Sequence, residues 1–257
     1  MTNVVLLKPD ESQDPTVQTA RLIRAFAEGR RTQGDVFWLK ENAELLGALA
    51  STGATLNTAA LQPLAAFHRG CRNLLRDFPQ YYRFILSICL DLEDLGLPQH
   101  QGAALCAKVA RAGLEGAELS DLQRAEARRL LRRRGVGPRV EDGALGQRLR
   151  DFIARSATFA MPNRKAAYEL THIVFYLSDY GRRPPVLPEA ALKSLHFTGL
   201  LAFLDQDMDL LAEVCAALCF AGQAPIPLWE DALAASHRVM RVYADVGAPL
   251  QDDYHEW

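Results

Sequence analysis

From Pro15 onward apolar residues recur every three to four positions. That period predicts helices over 15–28, 35–50, 58–77, 80–95, 98–112, 119–134, 145–159, 163–180, 189–205, 208–221 and 227–245. The breaks between them agree. Gly96 before Pro98, and Gly181 before Pro184, put glycine where a helix ends and proline where it cannot continue. Asp35, Ser120 and Asn163 stand where N-terminal caps are needed. Alternating β-branched segments are absent apart from "VVLL" at 4–7, a short strand in an otherwise extended arm of residues 1–13.

The expected fold is therefore all-α. It has about ten helices in antiparallel hairpins, forming an α/α solenoid or an incomplete α/α barrel-like array. A faint repeat supports stacked hairpins: Leu92, Asp94 and Gly96 recur as Leu177, Asp179 and Gly181. One domain over 14–250 is expected, with candidate halves 14–123 and 144–250 on either side of a polar span, and a tail over 251–257.

The segment "AYELTHIVFYLSDYG" (167–181) sets an acid, an imidazole, a phenol and a second acid into an apolar helix. With Glu169 at zero on a helical wheel, Tyr176 falls near about −20°, His172 near about −60° and Asp179 near about −80°. Leu170, Ile173, Val174 and Leu177 occupy a separate arc of roughly 40° to 140°. The polar groups thus make one stripe flanked by Tyr168 and Phe175, which points it at protein or at a cavity. Glu169-x-x-His172 has the spacing of a carboxylate-bridged di-metal ligand pair. A second copy is missing, so no metal is expected there. General acid–base work asks for less: His172 as acid or base, Glu169 and Asp179 orienting it, and Tyr176 donating a hydrogen bond. The alternative is a core histidine satisfied by its neighbours.

Helix 80–95 carries Arg83, Ser87, Asp91 and Asp94 on a stripe of roughly 80°. It is either an interhelical ion-pair network or the opposite wall of a cavity, with Arg83 and Asp91 as binding groups. "FLDQDMDLLAE" (203–213) fails as a calcium loop, because counting from Asp205 puts Leu210 where glycine is needed and Ala216 where glutamate is needed. Asp207 or Asp209 is expected to cap the next helix, with Asp209 and Glu213 facing the same cavity. His196 shares a face with Gly199 and Phe203, in the core or lining a pocket. His68 has no informative neighbours. The basic run at 128–139 is expected to be a solvated helix end, or else a contact for phosphate or an acidic partner.

A formal net charge of −2, with 49% hydrophobic and 23% charged residues, describes an ordinary globular chain. It argues against a nucleic-acid or anionic-membrane binder. Cysteines 71, 89, 106, 215 and 219 are odd in number and contain no Cys-x-x-Cys, so buried free thiols in a reducing compartment are expected. The first residues have no basic region followed by an apolar one, and no apolar run is long enough to span a bilayer. A cytoplasmic location is expected. Phosphate-cradling loops, dinucleotide fingerprints, nucleophile elbows and His-Glu-x-x-His are absent, so no cofactor is expected.

The Tyr-Glu-x-Thr-His…Phe-Tyr-Leu-x-Asp-x-Gly helix, followed by "DMDLLAEVCAALCFAG", resembles a pattern in uncharacterised all-helical bacterial proteins of unknown function. The resemblance covers roughly residues 160–222. It implies that Glu169, His172, Asp179, Asp209 and Glu213 belong to one shared feature, and it brings no reaction with it.

Two functions follow. One is a cofactor-independent enzyme or a small-molecule- or peptide-binding protein, with cyclisation, elimination or isomerisation as the fitting chemistry. The other is a non-catalytic helical scaffold or accessory subunit that binds a protein partner or a second copy of itself.

Overall fold

A computed structural model describes residues 14–138 and 142–239. The expected arm, the short strand, the end of the last helix and the tail lie outside them. So do residues 139–141 at the end of the basic run.

The described residues are all-helical, with twelve α-helices and no strand. In the first half α1 (Pro15–Arg24) is continued by a π turn, followed by α2 (Val36–Ser51), α3 (Gln62–Asp77), α4 (Tyr82–Asp94) and α5 (Gly102–Ala112). Then come α6 (Asp121–Arg132), α7 (Leu145–Ile153), α8 (Ser156–Phe159) and α9 (Arg164–Leu177). The last three are α10 (Glu189–Asp205), α11 (Met208–Phe220) and α12 (Pro227–Val239).

The caps are chemically explicit. Asp35, Ser120, Asn163 and Asp207 each accept a hydrogen bond from a backbone N–H in the first turn of α2, α6, α9 and α11 respectively.

The cores are two. The first gathers round α4, in which every residue from Ile85 to Glu93 is buried. A helix buried on all sides is the centre of a core rather than its cover; α2, α3, α5 and α6 all pack on it. The second gathers round α9, α10 and α11 and is closed by α12, whose Trp229 lies against Gly199. A Cβ at Gly199 would stand 2.4 Å from the Trp229 ring, so this close packing requires glycine.

The two cores meet at α6. Ala127, Leu130 and Leu131 belong to the first and Ala125 to the second. The same helix packs on both α4 and α9.

The basic run is only in part a solvated helix end: Arg132 is exposed, but Arg129, Arg133 and Arg134 are engaged with the protein. Its arginines tie α6 to the C-terminal end of α4. Arg133 Nη2 reaches Asp91 Oδ1 and Asp94 Oδ2 at 2.6 Å each, and Arg134 Nη2 reaches Glu93 and Asp94 at 3.1 and 2.9 Å. Carboxylates at a helix C-terminus oppose the helix dipole, so α4 needs these cations.

Candidate functional site

Helix α9 ends at Leu177, three residues sooner than expected. Asp179, Tyr180 and Gly181 follow in left-handed backbone, with φ of 50°, 53° and 77°. Only glycine adopts that region freely, so the two non-glycine residues cost on the order of 1–3 kcal/mol each. Asp179 is therefore not on the helical stripe with His172. Its carboxylate turns to Arg129 of α6 at 3.3 Å, and the Arg129 guanidinium lies over the Tyr180 ring, 4.6 Å from its centroid. Both contacts hold the turn against its backbone cost. They also join α6 to α9.

The carboxylate that meets His172 is Glu213, at 3.6 Å from Nε2. Glu169 does not orient the ring; it pairs with Lys165 at 3.9 Å on the outer side of α9. Glu213 is buried and accepts a 2.5 Å hydrogen bond from Thr171 Oγ1. One turn earlier, Tyr168 donates its hydroxyl to Asp209 at 2.6 Å. These rungs, 168–209 and 172–213, advance four residues on both helices, so α9 and α11 run parallel. The intervening α10 carries the chain back.

The His172 side chain keeps 28% of its surface exposed while Glu213 keeps 3%. Burial, the largest single effect, works against the imidazolium, but Glu213, Glu44 and Glu126 together outweigh it. The ring therefore titrates above an ordinary histidine. Those two further carboxylates come from α2 and α6, so His172 lies where the two cores meet. Phe175 and Tyr176 flank the ring, with centroids at 5.8 and 6.0 Å. Burial pushes the hydroxyls of Tyr176 and Tyr180 well above their usual range, so both stay protonated.

The remaining expected groups divide. Arg83 pairs with Glu118 at 2.9 Å and with Glu126, and Asp91 pairs with Arg133, so both belong to interhelical ion pairs. Asp209 lines a cavity of about 680 Å³ at the start of α11, with Arg164, Asp205 and Asp207. His196 is exposed and lies beside Trp229 at 6.2 Å between ring centroids; it is not in the core.

A feature the sequence reasoning missed is a cavity of about 550 Å³ between α6, α7 and the end of α9. It is lined by Tyr176, Arg128, Arg132, Asp142, Arg150 and Arg183. Desolvation by the surrounding protein, and then the like charge of Arg183, hold Arg132 below the usual arginine range. The signal in the sequence was the arginine spacing in "RRLLRRR", which puts Arg128 and Arg132 one turn apart. Arg183 comes from the loop beyond Gly181.

All of residues 1–257 match a family described as a domain of unknown function, DUF6902. The chain belongs to that family. No curated protein and no solved structure matches it. What this member of DUF6902 does must therefore come from its own side chains. No helix among the described residues is long and apolar enough to cross a membrane.

Proposed function

We propose that the protein binds an anionic small molecule in the cavity bounded by Tyr176, Arg132 and Arg183. The observation that carries this is the gathering of four arginines around a space of about 550 Å³, where desolvation, and after it the like charge of Arg183, hold Arg132 below the usual arginine range. Cations placed together against that cost are relieved by an anion, and planar guanidinium groups suit carboxylate or phosphate oxygens. The volume lies in the range of small-molecule sites.

Behind Tyr176 the His172–Glu213 pair is the group equipped to move a proton. Glu213 stabilises the imidazolium, and the ring stacks beside Tyr176, which lines the cavity. Cyclisation, elimination or isomerisation of a bound carboxylate or phosphate ester needs no more than such a pair and a hydrogen-bond donor. Thermal unfolding with a panel of small carboxylates and phosphate esters, each against a neutral isostere, tests the binding. Tm rises with anionic members only; a panel in which no anion raises Tm more than its isostere overturns the reading.

A second reading, a helical scaffold, has its own observation. Arg83, Asp91 and Asp179 are all engaged in ion pairs that join separate elements of the fold, as a purely structural network would be.

A further inference from the structure

The larger cavity, of about 680 Å³, lies at the other end of α9 from the arginines, where α10 turns into α11. On α10 its wall is formed by Thr198, Leu201, Ala202 and Asp205, the i, i+3, i+4, i+7 spacing of one helical stripe. Asp207 and Asp209 join it from the start of α11, and Arg164 from the start of α9.

Thr198 on this stripe is only 3% exposed. A threonine inside a helix can return its hydroxyl to the carbonyl four residues back. Ser194, one turn earlier, does so: it donates to Ala190 O at 2.9 Å and also reaches Ile153 O at 2.6 Å. The Thr198 hydroxyl has no hydrogen-bond partner among the described residues, and it belongs to the cavity wall. Buried polar groups are normally bonded, so an unmet hydroxyl at a cavity marks a place for a ligand atom.

The charge of the wall is one-sided. Asp205, Asp207 and Asp209 face one lining cation, Arg164, which stands 3.7 Å from Asp207 with 71% of its side chain exposed. Asp209 is buried and accepts from the Tyr168 hydroxyl at 2.6 Å, a neutral donor. The C-terminal end of α10 adds negative potential. The positive end of α11 is met by Asp207, which accepts from the Leu210 N–H at 3.1 Å.

We infer that this cavity binds a small organic amine, as its ammonium ion, through Thr198 and the three aspartates. The Thr198 hydroxyl accepts one N–H of the ammonium group and the carboxylates supply the charge. Phe159, Met161, Leu201 and Met208 line the space left for the carbon chain, and methionine adapts to chains of different shape. A metal ion fits less well, because among the described residues the three aspartates do not bring ligand oxygens close enough together to share one. The site is separate from the arginine cavity and opposite to it in charge, so it does not depend on anion binding there.

The test titrates the full chain with hexylammonium and 2-phenylethylammonium chloride, beside the neutral 1-hexanol and 2-phenylethanol, and with MgCl₂. Methyl-labelled methionine reports the site by NMR, since Met161 and Met208 are two of only four methionines. At least one ammonium ion should shift both methyl signals saturably, and bind more tightly than its alcohol. Asp205→Asn and Thr198→Val should each weaken that binding about tenfold, the scale of one hydrogen bond to a charged group. Arg132→Gln/Arg183→Gln should leave it unchanged, which keeps this result apart from that of the anion site. Ammonium ions that bind no better than the alcohols overturn the inference, as does Mg²⁺ that displaces them from the two methionines. Unchanged affinity in folded Asp205→Asn or Thr198→Val does the same. If Thr198→Val misfolds, the wild-type methyl shifts and the exposed Asp205→Asn decide.

Discussion

Glu213 approaches His172 to 3.6 Å from the neighbouring α11, whereas Glu169, three residues before it on α9, turns outward to Lys165. Glu213→Gln should therefore lower the His172 pKa towards or below that of a free imidazole, because desolvation is then opposed only by Glu44 and Glu126. Glu169→Gln should leave it in place. An NMR titration of the His172 ring distinguishes them; equal shifts in the two variants would contradict the pairing.

The same pairing sets a pH dependence. The folded pKa of His172 is raised, so its stabilising contribution is fully present below about 6.5, the unfolded value, and is lost as pH rises through the folded value. His172→Gln should lose more stability, relative to wild type, at about pH 5.5–6 than at about pH 9. Urea unfolding at both pH values measures this. A deficit that grows with pH would reverse the sign and rule the pairing out.

Arg133 and Asp91 keep only 6% and 3% of their side chains exposed. Removing the cation by Arg133→Met leaves a buried carboxylate partly unpaired, at a cost of about 3–5 kcal/mol. Arg148→Met, which breaks ion pairs with Asp121 and Asp142 on the surface, should cost much less. Denaturant midpoints of the two variants give the comparison, and equal losses would contradict the burial argument.

Gly199→Ala sets a methyl group 2.4 Å from the Trp229 ring. Overpacking of this kind costs about 1–3 kcal/mol. It should appear in urea unfolding together with a change in Trp229 fluorescence, since α12 must move. A variant as stable as wild type would show that α12 packs more loosely than described.

The all-α class and most helix starts were legible in the sequence because they depend on local chemistry. The 3.6 period, the Asp35, Ser120 and Asn163 caps, and the Gly96 and Gly181 stops act within one or two turns. The end of α9 was less legible. Gly181 marks the left-handed turn, but that turn begins two residues earlier, at Asp179, held there by Arg129 from fifty residues away in sequence. Glu213 was legible as part of the same feature as His172, but which carboxylate meets the ring was not, for the same reason. Glu169 is near in sequence, Glu213 is near in space, and only the parallel packing of α9 on α11 selects between them. The basic run seemed solvated because its acidic partners lie on α4, some forty residues earlier. His68 lacked informative neighbours for a related reason: Cys89 and Glu93 are on another helix.

The most direct test of anion binding is affinity selection from a small-molecule extract, with retained compounds identified by mass spectrometry. Wild-type protein and an Arg132→Gln/Arg183→Gln variant of equal stability should be compared. The wild type should retain one or a few anionic compounds that the variant loses, and His172→Gln should still bind them while failing to convert them. Retention of the same anions by the arginine variant, or of none by the wild type, would contradict a site built on Tyr176, Arg132 and Arg183.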